Sequence, residues 1–175
     1  MRQVHDFSIN EIQQEGSLQG IAVITKKKEG YLIFMNPHTK KLEESKKFSL
    51  NELPSNVGFN GTHIICSYKK EYETYNVERN FGLAKGPLQT RNPFFKITGP
   101  NEIVFFMDDI GLFMDSQFTP IQKDNITLAS SRPLINIGLN GNHCLILCEG
   151  SLQIFSICKV VSMKSTQRSV HSCRR

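Results

Sequence analysis

Residues 56–76 read NVGFNGTHIICSYKKEYETYN. Asn60-Gly61 separates two short apolar runs, Val57-Gly58-Phe59 and His63-Ile64-Ile65-Cys66-Ser67. A basic turn at Lys69-Lys70 then leads into Tyr72-Glu73-Thr74-Tyr75-Asn76. Runs this short, rich in Ile, Val and Phe and punctuated by Gly or Asn, read as strands, because helices need longer periodic stretches. The signpost returns as Pro100-Asn101 and Asn140-Gly141, so turn pairs stand at residues 60, 100 and 140, one every 40 positions. A β-rich unit repeating at that period is the signature of a propeller blade.

Working outward, the pattern has four copies. After Pro100-Asn101 come Ile103 to Phe106, an acidic turn at Asp108-Asp109 and Ile110 to Met114. After Asn140-Gly141 come Cys144 to Cys148, a turn at Glu149-Gly150 and Leu152 to Phe155. Upstream, Ile21 to Ile24, a basic turn at Lys26-Lys27-Lys28 and Tyr31 to Phe34 repeat the motif. Each copy reads as a four-stranded meander. Inner strands are expected at Asp6–Glu11, Ser55–Phe59, Phe94–Thr98 and Leu134–Leu139. More polar outer strands are expected at Leu42–Phe48, Phe81–Lys85, weakly near Ile121–Ile126, and at Lys159–Met163. A polar outermost strand suits a sheet edge, which must not template further pairing. Near-continuously apolar central strands suit sheets covered on both faces. The expected fold is all-β, a partial β-propeller of about four four-stranded blades over residues 6–163. The blades run about 6–53, 54–92, 93–131 and 132–163, and residues 164–175 form a basic, Ser-rich, disordered tail. An open arc leaves an apolar blade face at each end, and soluble monomers avoid large patches of that kind. The chain is therefore expected to be a fragment, a splice product or one part of a larger ring.

The formal net charge of +5 over 175 residues resides largely in the tail, whose Lys164, Arg168, Arg174 and Arg175 stand without an acid. The body is nearly neutral, and no basic stripe interleaved with stacking aromatics points to nucleic acid. The tail could touch an anionic membrane surface. An odd count of five cysteines argues against a disulfide framework, and strand placement of Cys66, Cys144, Cys148 and Cys158 suits core packing. No apolar leader follows Met1 and no run approaches the length of a membrane span, so an intracellular, soluble chain is expected. The sequons at Asn60 and Asn125 are then accidental.

No constellation reads as catalytic. Asp108-Asp109 with Asp115 resembles a metal or acid/base cluster, but Asp in a hairpin turn has backbone reasons to be there. His143 and Cys144 are adjacent on a strand and face opposite ways. The inner strands carry mainly small and apolar residues, as in Val57-Gly58-Phe59 and Ile135-Asn136-Ile137, which disfavours a hydrolytic central channel. The expectation is a protein that is not an enzyme, with no cofactor, metal or small-molecule substrate.

Three stretches resemble the citron homology (CNH) domain, a propeller of signalling kinases, Rho exchange factors and vacuolar tethering proteins. They are residues 21–34 (IAVITKKKEGYLIF), 48–76 (FSLNELPSNVGFNGTHIICSYKKEYETYN) and 102–116 (EIVFFMDDIGLFMDS). Within that family the chain is most similar to the branch of vacuolar protein sorting-associated protein 39 and TGF-beta receptor-associated protein 1. The resemblance implies an interaction module of the HOPS and CORVET tethering complexes, acting in late endosome and lysosome fusion. It implies a cytoplasmic protein, peripheral on late endosomal or vacuolar membranes, that contacts Rab-type small GTPases and other tethering subunits. It carries no catalytic residues. The signalling members, in which the domain regulates a kinase or exchange factor, remain the alternative. The basic turns Lys26, Lys27, Lys28, Lys69 and Lys70 are expected on one rim, as a patch for an acidic GTPase surface or anionic lipid; the plainer role of such lysines is keeping turns soluble.

Overall fold

The computed structural model describes residues 3–9, 20–36, 38–86, 90–91, 93–129 and 133–157. The described residues form fifteen strands in four antiparallel sheets. The first sheet is β1 (Val4–Ile9), β2 (Gly20–Thr25), β3 (Glu29–Met35) and β4 (Leu42–Ser49), in that order. The second is β5 (Asn56–Asn60), β6 (His63–Ser67), β7 (Tyr72–Asn76) and β8 (Gly82–Lys85). The third is β9 (Phe94–Gly99), β10 (Glu102–Met107), β11 (Ile110–Met114) and β12 (Ile126–Thr127). The fourth has β13 (Leu134–Asn140), β14 (His143–Cys148) and β15 (Ser151–Ser156). No helix among the described residues is long and apolar enough to cross a membrane.

Sequential pairing follows from short connections. Asn60 pairs with His63 and Asn140 with His143, so the hairpin loops are Gly61-Thr62 and Gly141-Asn142. The asparagines expected in the turns are thus the last strand residues. The glycines take φ of +56° and +57°, the glycine-first conformation of a II′ hairpin turn, whose twist matches that of the strands. Pro100-Asn101 fills the corresponding two-residue loop between Gly99 and Glu102 without positive φ, so the equivalent corner uses a different turn.

The sheets stack face to face, and each junction has its own apolar cluster. Ala22, Ile24, Leu32 and Phe48 of the first sheet meet Phe59, Ile64, Cys66 and Tyr75 of the second. Ile65 and Tyr72 of the second meet Phe95, Ile97, Ile103 and Phe105 of the third. Val104, Phe106 and Phe113 of the third meet Ile137, Cys144, Ile146 and Cys148 of the fourth. Close stacking explains Gly58, where a Cβ would sit 2.5 Å from Cε2 of Phe95. Strands β6 and β10, central in the second and third sheets, are buried on both faces, whereas β14 alternates buried with exposed or half-buried positions because one side of its sheet is uncovered.

A buried carboxylate, Glu73, lies among these clusters. The Glu73 carboxylate accepts from the Tyr75 hydroxyl at 2.6 Å, that hydroxyl meets Tyr68 Oη at 3.0 Å, and Lys85 reaches Glu73 at 3.2 Å. Burial pushes the Tyr68 and Tyr75 phenols far above their ordinary range, so both stay protonated donors. The chain of bonds carries a buried charge to the surface, as a buried carboxylate requires.

Several expectations shift at their ends. β1 begins two residues earlier than Asp6, and residues 10 and 11 lie outside the described residues, as do the outer strand expected at Lys159–Met163, the tail and Cys158. Phe81 is not in β8 but in the preceding turn, with φ of +59°, where its ring stacks on Phe48 at 4.5 Å. The strand expected near Ile121–Ile126 contracts to Ile126–Thr127 plus a bridge from Met114 to Pro120.

Candidate interaction rim

The first strands of the sheets run side by side in one direction. His5 at the start of β1 bonds the Pro54 carbonyl just before β5 at 2.9 Å, and further along Ser8 Oγ accepts the Phe59 N–H at 3.1 Å. Asn56, opening β5, donates to the Phe95 carbonyl at 3.4 Å, near the start of β9. In an antiparallel meander the turn between second and third strands returns to the end where the first strand began. One rim therefore carries Lys26-Lys27-Lys28, Lys69-Lys70, Asp108-Asp109 and Glu149-Gly150 in order. All five lysines are exposed.

Along this rim the charge changes sign, basic on the first two sheets and acidic on the last two. A single residue locks the middle turns together. The Thr90 N–H donates to the Lys70 carbonyl at 3.2 Å, while its hydroxyl donates to Asp108 Oδ1 at 3.1 Å and accepts the Asp108 N–H at 3.0 Å. Asp108 Oδ1 also accepts the Arg91 N–H at 2.9 Å. This bonding accommodates the positive φ of Asp108, a conformation that Asp adopts more readily than most residues because its short side chain bonds locally. Lys28, also at positive φ, donates through Nζ to the Asn51 carbonyl at 2.9 Å and so fastens its turn to the linker before β5. The structure thus places the two lysine turns on neighbouring sheets of one rim, and the direct bonds join the second turn to the acidic third.

The candidate chemical groups separate. Asp115 caps its own loop, with Oδ1 accepting the N–H groups of Gln117 and Thr119 at 2.8 Å each, and stands apart from Asp108-Asp109. Cys144 is buried and His143 exposed, and burial pushes the Cys144 thiol up to about 11, away from nucleophilic use at neutral pH. Among the described residues no group of three His, Cys, Asp or Glu side chains is placed to hold a metal ion.

The axis is more polar than expected. A cavity of about 120 Å³ lies where the four inner strands converge, and Ser8, Asn56, Lys96 and Asn136 line it beside Gly58 and Ile137. The apolar neighbours of Asn56 and Asn136 conceal these residues in a linear reading. The lining holds no carboxylate or histidine to act as a base.

His63 stands at the opposite end of the second sheet. Its Nε2 lies 3.1 Å from Asn76 Nδ2 and its Nδ1 2.9 Å from Thr62 Oγ1. An amide donor at Nε2 requires an unprotonated nitrogen, and partial burial lowers the His63 pKa in the same sense. The unfolded chain therefore binds a proton at this residue more readily than the folded one. Stability is full above the ordinary pKa of about 6.5 and is lost as pH falls through the depressed native value. Urea midpoints measured between pH 5 and 7.5 should fall towards acid, and His63→Gln should flatten part of that slope.

Comparison with known proteins yields structures only: no family model matches, and no curated protein sequence is similar. BBS1N in complex with ARL6DN superposes with a TM-score of 0.63 at 10% identity, covering 90% of this chain and 49% of that one. Kluyveromyces lactis Hsv2 superposes with a TM-score of 0.53 at 12% identity, covering 93% of this chain and 48% of that one. Kluyveromyces marxianus Hsv2 gives 0.53 at 12% identity over 90% of this chain and 49% of its own. The chain spans about half the length of these solved structures. They are β-propellers, and this chain has the same fold as a partial ring.

Proposed function

We propose that this chain is a non-enzymatic interaction module, a CNH-type propeller segment of an endolysosomal tethering subunit of the HOPS or CORVET kind. Its basic rim turns, Lys26 to Lys28 and Lys69-Lys70, meet the acidic surface of a Rab-type small GTPase, and the protein works on the cytoplasmic side of late endosomal or lysosomal membranes. The observation that carries the reading is the rim itself: two lysine turns on adjacent sheets, the second held rigid by Thr90. Rigid sheets presenting loops at one end suit partner contacts. One structurally similar propeller was solved with ARL6, a small GTPase, which supports the partner class.

The experiment is a titration of late-endosomal Rab proteins against the chain and its Lys69→Glu/Lys70→Glu variant. Reversing two rim charges should weaken binding about tenfold, equivalent to about 1.4 kcal/mol, and reduce its salt dependence. Equal affinity for both proteins would remove the patch from the function. The signalling alternative is separated by the neighbouring sequence in the transcript, a solenoid downstream favouring tethering and a kinase or exchange-factor domain upstream favouring signalling.

A further inference from the structure

Every junction between neighbouring sheets obeys one alternation on the second strand. Ile64 and Cys66, Ile103 and Phe105, and Cys144 and Ile146 turn towards the preceding sheet. Ala22 and Ile24, Ile65, and Val104 and Phe106 turn towards the following one. Continued to the ends of the arc, the rule assigns Ile21 and Val23 of β2 to a sheet before the first, and Leu145 and Leu147 of β14 to a sheet after the fourth.

Strand pairing enlarges both faces. Ile9 pairs with Ile21 and Phe7 with Val23, while Leu152 pairs with Leu147 and Ile154 with Leu145. Phe7 is 59% exposed and Ile9 54%, and at the other end Leu152 is 58% and Ile154 62% exposed. These two faces are the halves of the junction the chain builds three times within itself, and they stand at opposite ends of one arc.

We propose that a second copy of this chain covers both, the fourth sheet of each packing on the first sheet of the other to close a two-copy ring. Three observations choose this occupant. The open faces are positional complements, one of the kind each sheet offers its predecessor and the other of the kind it offers its successor. The arc of four sheets aligns with about half of each solved propeller, so two such arcs match one ring. Charge agrees as well: the Glu149 turn would come beside the partner's Lys26, the partner's Lys27 and the partner's Lys28, as the Lys70 and Asp108 turns adjoin within the chain. A head-to-tail contact of this type closes when its rotation permits and otherwise grows into open polymers.

Sedimentation equilibrium of the complete chain at micromolar concentrations tests the inference. The expected mass is twice the 19.9 kDa of one chain. Ile154→Lys and Phe7→Lys should each return it to a single copy with the β-sheet circular dichroism unchanged, since both side chains are exposed in the lone chain and leave no internal cavity. Leu83→Lys, exposed on the second sheet away from both faces, should remain a dimer. A single-copy mass at every concentration overturns the proposal and assigns the faces to propeller blades of a different polypeptide or a longer chain. Masses beyond two copies overturn the closed ring, and a dimer that survives both lysine substitutions overturns the assigned faces.

Discussion

Phe105→Ala should lower the unfolding free energy by about 3–5 kcal/mol, the usual cost of emptying an aromatic site in a packed core. Phe105 is fully buried and central to the second junction. Its ring meets Tyr72 edge-on at 5.0 Å, Phe118 at 5.1 Å and Phe95 at 6.0 Å. Rings held on two strands, β7 and β9, and on the loop after β11 cannot collapse together into the space it leaves, so the cavity persists and the loss falls at the high end. The check is the urea midpoint of the variant against wild type at constant m-value. Leu83→Ala, at an exposed position, should change stability by about 0.5 kcal/mol or less. A Phe105→Ala loss as small as that control would mean that this junction is not packed as described.

Tyr72→Phe should cost about 2–3 kcal/mol although it removes a single oxygen, because buried polar groups are left unpaired. The Tyr72 hydroxyl lies 2.6 Å from the Phe106 carbonyl and 2.9 Å from that of Phe94, and accepts the Phe94 N–H at 2.8 Å. It latches the second sheet to two strands of the third. Burial holds the phenol protonated far above its ordinary range, so the donor persists across the accessible pH range. Amide exchange supplies the independent readout: the Phe94 N–H should lose protection before the strand-paired amides of β10 do. Equal protection in variant and wild type would dismiss the latch.

Much of this architecture is legible in the chain because its determinants are local. Strands β6, β7 and β11 occupy the spans read from their short apolar runs. The corners at Gly61 and Gly141 lie where turn residues demanded them, one residue beyond the asparagines that mark them. What escaped the linear reading depended on contacts distant in sequence. Phe81 looks like the first residue of a strand by composition, yet stacking on Phe48, 33 positions earlier, holds it in a left-handed turn. Thr90 carries no signal at all, and acquires its role only when the turns of Lys70 and Asp108 come side by side. The polar axis was concealed in the same way, since Ser8, Asn56, Lys96 and Asn136 lie far apart in the chain and converge only through stacking.

The amino-acid sequence alone determined the four meanders, their order and the residues at their corners, because a period of two, a turn glycine and a β-branched run act over a few bonds. Tertiary structure decided which side of each meander is covered. A strand displays apolar side chains to both sides alike: Ile64 and Ile65 are neighbours of one type, yet they pack in different clusters. Only the stacking of whole sheets gave each its destination, joined the rim turns into one surface and left Phe7 and Ile154 uncovered at the two ends.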